Sequence, residues 1–200
     1  MDCIELSIKK LDNICCQFAS EIKKDYRPDI VIYLAKGGYL IGKSMCSVFK
    51  VPLVAVGSVR EGNALKEQLA SLLGLLPRWL CNFLRNVELK SNVHAKQKER
   101  HVKFLDDITS FQNTDKQLKI LIVDDSVDTG NSIIAVHQLI KQFFVNPIIR
   151  VAALNVMSQS KSAVDVDYYL YTDKMLRTPM SKDSREYRNF LKLYADKDKF

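Results

Sequence analysis

The sequence has few of the residues that interrupt or bend a chain. It holds seven glycines and five prolines among 200 residues, too few for long flexible linkers. No segment is of low complexity and no internal repeat is present. Cysteine is sparse and odd in number: Cys3, Cys15, Cys16, Cys46 and Cys81, with no C-x-x-C pair. That pattern argues against a disulfide framework and a zinc site, and predicts free thiols in a reducing cytosol. The three histidines, His94, His101 and His137, lack metal-ligand spacing. No long hydrophobic run exists. The longest uncharged apolar stretch, residues 68–77, falls far short of the ~20 residues that cross a bilayer. Residues 1–20 already carry Asp2, Glu5, Lys9, Lys10 and Asp12, which predicts no secretory signal and a soluble, cytoplasmic protein.

Apolar residues make up 47% and charged residues 26% of the chain, the balance of a globular domain with a true core. The formal net charge is +7 and the pI about 9.1. Such a surface attracts polyanions, either nucleic acid or a small polyphosphate. No winged-helix extension is visible and the long middle segment lacks basic–aromatic interleaving, so nucleic acid is not the expected partner.

Apolar positions Ile4, Ile8, Leu11, Cys15, Phe18 and Ile22 recur at helical spacing and predict a helix over 2–25. Residues 29–35 form a short apolar run of the kind buried on both faces of a parallel sheet. A glycine turn and a helix over 39–49 follow. Further strands are predicted at 51–59, 119–123, 148–156 and 166–171, with a helix over 131–144. Strands alternating with helices indicate an α/β, Rossmann-like, mostly parallel sheet flanked by helices. Ligands of such sheets sit at the carboxyl ends of the strands, where strand order reverses. Residues 60–117 make an unusually long connection. Leu65, Leu69, Leu72, Leu73, Leu76, Leu80, Phe83, Leu84 and Val87 share one helical face, broken at Pro77, with core packing or a subunit interface as its expected use. Residues 92–116 are polar and are expected to be mobile. The chain is thus read as one domain, 1–200, with a helical insertion or lid at about 60–117 and a small C-terminal hood at about 157–200.

The chemistry concentrates in ILIVDDSVDTGNS, residues 120–132. Four apolar residues make a buried strand, and two adjacent acids, Asp124 and Asp125, stand where it ends. Buried acids without partners are very costly, so they should face a cavity, a cation or hydroxyl donors. Asp128, Thr129, Gly130, Asn131 and Ser132 then open a helix with small, hydrogen-bonding residues. Such a turn offers backbone N–H groups and a helix dipole to an anion. Acids beside a phosphate cradle suit a sugar phosphate.

This segment resembles the phosphoribosyl pyrophosphate (PRPP) motif of the type I phosphoribosyltransferases: four apolar residues, two acids, two spacers and a small-residue loop. The resemblance implies that Asp124 and Asp125 hold the ribose hydroxyls, directly or through Mg²⁺, and that residues 128–132 wrap the 5′-phosphate. LAKGG, residues 34–38, resembles the pyrophosphate loop of the hypoxanthine and xanthine-guanine members. There Ala35, Lys36, Gly37 and Gly38 would meet the pyrophosphate and a non-proline cis peptide would fall at Ala35–Lys36. The resemblance also implies a closing loop, with Lys96, Lys98, Arg100 and His101 as candidate lid groups.

By the same resemblance, Asp128 is the acid/base toward the ring of the acceptor, which favours a purine-like base. Two positions depart from the purine members. Met157 stands where they carry a lysine, and Met175 where they carry a stacking aromatic. The PRPP half is intact and the acceptor half altered. The expected function is transfer of ribose 5-phosphate from PRPP to a nitrogenous acceptor, releasing pyrophosphate, by a homodimer or higher homo-oligomer. The competing reading is a PRPP- or nucleotide-binding regulator on the same fold without turnover.

Overall fold

The computed structural model describes residues 3–58, 102–112, 116–160 and 163–197. They belong to one compact unit, 1–58 with 102–200; residues 59–101 make up a second unit outside the described residues. The leucine-rich stripe at 65–87 and the lid candidates Lys96, Lys98, Arg100 and His101 lie there.

The chain opens with a short strand, β1 (Cys3–Glu5), followed by α1 (Ile8–Ile22). This corrects the helix expected over 2–25. Ser7 accepts a hydrogen bond from the Lys10 amide through its hydroxyl at 3.2 Å and so fixes the helix start. Leu11, Cys15, Phe18 and Ile22 form the buried stripe of α1. Then come β2 (Ile30–Leu34), α2 (Tyr39–Phe49), β3 (Leu53–Ser58), β4 (Val102–Phe104) and the short α3 (Thr109–Gln112). β5 (Lys119–Val127), α4 (Asn131–Phe143), β6 (Ile148–Val156), β7 (Tyr168–Thr172), β8 (Met175–Arg177) and α5 (Tyr187–Ala195) complete the order. Residues 102–112, expected to be a polar mobile stretch, instead supply the edge strand β4 and α3.

The central sheet runs β4-β3-β2-β5-β6-β7. Only β4 is antiparallel; every other neighbouring pair is parallel. The alternation of side chains splits the core in two. Val31, Tyr33, Leu121, Val123, Ala152 and Leu154 pack under α1, α2 and α5. Ile30, Ile32, Ile120, Ile122, Val151 and Ala153 pack with α4 on the opposite face. A second, two-stranded sheet pairs β1 with β8 in parallel. Cys15, Cys16 and Cys46 are free thiols, and burial pushes Cys15 and Cys46 up to about 12, leaving them unreactive near neutral pH. Among the described residues no helix is long and apolar enough to cross a membrane.

From β2 the chain moves outward to β3, and β5 returns to the other side of β2 before β6 and β7 continue that way. The strand order therefore reverses between β2 and β5. The loops leaving those two strands flank the crevice where open parallel sheets bind ligands.

Candidate functional site at the carboxyl ends of two strands

The site grows from an asymmetry in β5. On one side its pairing with β2 stops at Tyr33↔Val123. On the other side its pairing with β6 continues through Asp124↔Ala153 and Ser126↔Asn155 to Val127↔Val156. The strand predicted to end at Val123 thus runs to Val127. Its last four residues are held from one side only, and Asp124 and Asp125 lie in this half-open segment.

The 35–38 loop meets the acids directly. A Cβ added at Gly37 would stand 2.8 Å from Asp125 Oδ1. One added at Gly38 would stand 2.6 Å from the Val123 carbonyl oxygen. Only glycine permits both approaches. The Ala35–Lys36 peptide is cis, as the resemblance implies. The amides of Ala35, Gly38 and Tyr39 donate to Val56 O, Leu34 O and Lys36 O. Those of Lys36 and Gly37 have no backbone acceptor among the described residues, which suits an oxyanion. The Lys36 side chain leans the other way, with Nζ 5.6 Å from the ring centroid of Tyr194 in α5.

Asp124 is 9% exposed and Asp125 half-buried. Asp124 Oδ1 accepts from the Asp125 amide and Asp125 Oδ1 from the Ser126 amide, both at 2.9 Å. Neither carboxylate has a cationic partner among the described residues. Burial, reinforced by the neighbouring Asp125 charge, holds Asp124 well above the usual carboxylate range. Burial also raises Asp125, against the hydrogen bonds it accepts.

Beyond the acids, Asp128 and Thr129 are exposed while Asn131 and Ser132 are half-buried. Gly130 caps α4 with φ +78°, a left-handed conformation that suits glycine, and an added Cβ would stand 2.5 Å from Val164 Cγ1. No side chain caps the first turn of α4 with a hydrogen bond at this position, and the amides of a helix's first turn have no acceptor within the helix. Met157 follows β6, its amide donating to Val127 O at 3.0 Å. Met175, 53% exposed, belongs to β8 and so to the small sheet with β1. Motif reading passed over two polar residues that the fold brings to the site. Ser126 donates to Asp128 Oδ1 at 2.9 Å, and Asn155, 1% exposed, lies beside Ser126 across the β5–β6 ladder. A lone asparagine in the apolar run of β6 was the available signal.

A sequence model of the phosphoribosyl transferase domain matches residues 6–175. Among curated proteins none matches in sequence. Solved structures do. A purine phosphoribosyltransferase from Pyrococcus horikoshii shares 19% identity, with 91% of this chain and 95% of that one covered and a TM-score of 0.59. The Helicobacter pylori xanthine-guanine-hypoxanthine phosphoribosyltransferase gives 13%, 96%, 98% and 0.60 in the same order. A hypothetical protein from Neisseria gonorrhoeae with bound ppGpp gives 14%, 96%, 97% and 0.58. At these identities the likeness is one of fold.

Proposed function

The chain belongs to the phosphoribosyl transferase domain family, and from that premise we propose that it transfers ribose 5-phosphate from PRPP to a nitrogenous, purine-like acceptor and releases pyrophosphate. One observation carries the reading: Gly37 packs against the Asp125 carboxylate, so the two motifs meet at the point where strand order reverses. In this reading Asp124 and Asp125 accept the ribose 2′- and 3′-hydroxyls. Residues 128–132 and the first turn of α4 take the 5′-phosphate. The Lys36 and Gly37 amides, without a backbone acceptor among the described residues, take the pyrophosphate. The bond from C1 to the pyrophosphate oxygen breaks, a bond from C1 to a ring nitrogen forms, and Asp128 receives the proton that nitrogen loses. The transition state has the oxocarbenium character of glycosyl transfer.

The donor set fits Mg²⁺. Asp124 and Asp125 are adjacent hard oxygen donors without a cationic partner among the described residues, and a divalent cation would offset their burial. Among the described residues no cluster of three His, Cys, Asp or Glu is built to hold a metal alone. Substrate oxygens and water would complete the shell, as is usual for this ion. Bound there, Mg²⁺ would neutralise charge on the departing pyrophosphate. The reading treats 1–200 as one domain with a lid within 60–117 and a hood at 157–200, working as a homodimer or higher oligomer. Its free thiols suit the cytoplasm.

A second reading keeps the pocket for a nucleotide without turnover. It draws on the altered positions Met157 and Met175, and on the ppGpp bound by the Neisseria neighbour. Pyrophosphate release, measured with PRPP, Mg²⁺ and a panel of purines, pyrimidines and other nitrogen heterocycles, separates the two. Release with one acceptor establishes the transferase and identifies its substrate. Binding without release across the panel favours the regulator. The double change Asp124→Asn with Asp125→Asn should abolish Mg²⁺-dependent PRPP binding in calorimetry while circular dichroism stays unchanged; retained affinity would sink the site assignment.

A further inference from the structure

Asn155 is the one buried side chain in β6 that must be satisfied by hydrogen bonding. It is 1% exposed, and an unpaired amide there would be strongly destabilising. All its partners are site elements. Its Oδ1 accepts from the Lys174 amide at 3.1 Å, in the turn that leads into β8. Because a backbone N–H can only donate, this contact fixes which end of the side chain is oxygen. The Nδ2 end must then donate. It lies 3.4 Å from Ser126 Oγ and 3.5 Å from Met157 Sδ. The Ser126 oxygen accepts there, which leaves its own proton for Asp128 Oδ1 at 2.9 Å.

Three bonds therefore run in one direction, from the Lys174 amide through Asn155 and Ser126 to the Asp128 carboxylate. Each donor polarises the next. The turn at the start of this chain is itself anchored. Asp173 has φ +53°, its amide donates to Val156 O at 3.1 Å, and its carboxylate accepts from the amide of Ser158 at 2.7 Å and from the Ser158 hydroxyl.

We infer that Asn155 is a positioning residue: through Ser126 it orients the Asp128 carboxylate and ties that carboxylate to the 172–174 turn before β8. The inference rests on the reading of Asp128 as the group that exchanges a proton with the acceptor. It adds that the turn's placement and the carboxylate's orientation are set together, so an acceptor that shifts the turn also shifts its own proton acceptor.

The test is a kinetic cycle. Ser126→Ala and Asn155→Leu should each lower kcat roughly three- to tenfold, with the KM for PRPP changed by less than about twofold. Ser126→Thr, which keeps the hydroxyl, should restore kcat. In an Asp128→Asn background the Ser126→Ala and Asn155→Leu losses should shrink to less than about twofold, since there is no carboxylate left to orient. Losses of full size in that background, or losses that fall on the KM for PRPP, would overturn the inference. Should Asn155→Leu fail to fold, Ser126→Ala carries the cycle alone, because Ser126 is only half-buried. Should the wild-type chain turn over no acceptor, the enzymatic reading fails by itself. The bonded chain is then read from the Lys174 amide resonance. Displacement of that resonance by Ser126→Ala and by Asp128→Asn supports the chain, and an unmoved resonance overturns it.

Discussion

Asp124 and Asp125 work against the fold that carries them. Burial raises both above the ordinary carboxylate value of 3.8, and for Asp124 the neighbouring charge adds to the effect. A carboxyl raised in the folded state binds its proton more tightly there than in the unfolded chain. The resulting stability is present below pH 3.8 and is lost as pH rises through the raised folded values. Toward neutral pH the pair is therefore a liability. The double change Asp124→Asn with Asp125→Asn keeps oxygens that can accept from the Asp125 and Ser126 amides, and it removes the charge. In a metal-free, chelator-containing buffer at neutral pH it should raise the thermal midpoint by roughly 2–8 °C, equivalent to about 1–2 kcal/mol for a chain of this size. The gain should shrink as pH falls from neutral toward 3.8, because the wild-type pair takes up protons as pH drops through its raised folded values. Differential scanning calorimetry at the two pH values reads this directly. A variant less stable than wild type at neutral pH would mean that the carboxylates are satisfied within the fold.

Elements whose partners lie close in sequence, or whose apolar runs are unbroken, were legible from the sequence: β2, α2, β3, α4 and β6 fall near their expected positions. Those defined by distant pairing were not. Ile4 sits four residues before Ile8 and so fits the helical period of α1, yet it pairs with Leu176. A three-residue strand is too short for its own alternation to outweigh that period. β4 is an edge strand whose partner β3 lies across the long insertion. The far end of β5 is polar, and only the length of β6 keeps it a strand. Within the site, the acids and the glycine loop were visible as motifs. Ser126 and Asn155 were not, because their meaning depends on the β5–β6 register. The β1–β8 pairing makes its own prediction. Ile4→Pro removes a donor from a three-residue strand. Hydrogen exchange should quicken more than tenfold at Leu6, whose amide donates to Arg177 O, and at Arg177, and by less than about twofold at Ile122, the mark of a local opening. Equal acceleration at all three amides would mean that the small sheet opens only with the core.

For the whole molecule, the net charge of +7 and the two buried acids make opposite demands on a ligand. The surface attracts anions at long range. The crevice, with its paired carboxylates, repels them at short range unless a cation intervenes. A polyanion that carries hydroxyls for the acids and phosphates for the flanking amides, and arrives with a divalent ion, satisfies both. Because such a ligand binds only the folded chain, its affinity must appear as stability. PRPP with Mg²⁺ at a hundred times the dissociation constant should stabilise the protein by about 2.7 kcal/mol and raise its thermal midpoint by roughly 5–11 °C. PRPP in chelator should give much less, because the acids then face the ligand bare. Asp124→Asn with Asp125→Asn should lose the Mg²⁺-dependent part of the shift even though its unliganded midpoint is higher. That crossing, a variant more stable alone and less stabilised by ligand, distinguishes a site built for a metal-borne sugar phosphate from a basic surface that collects anions indiscriminately. A basic surface alone would give equal shifts with and without Mg²⁺, in both proteins.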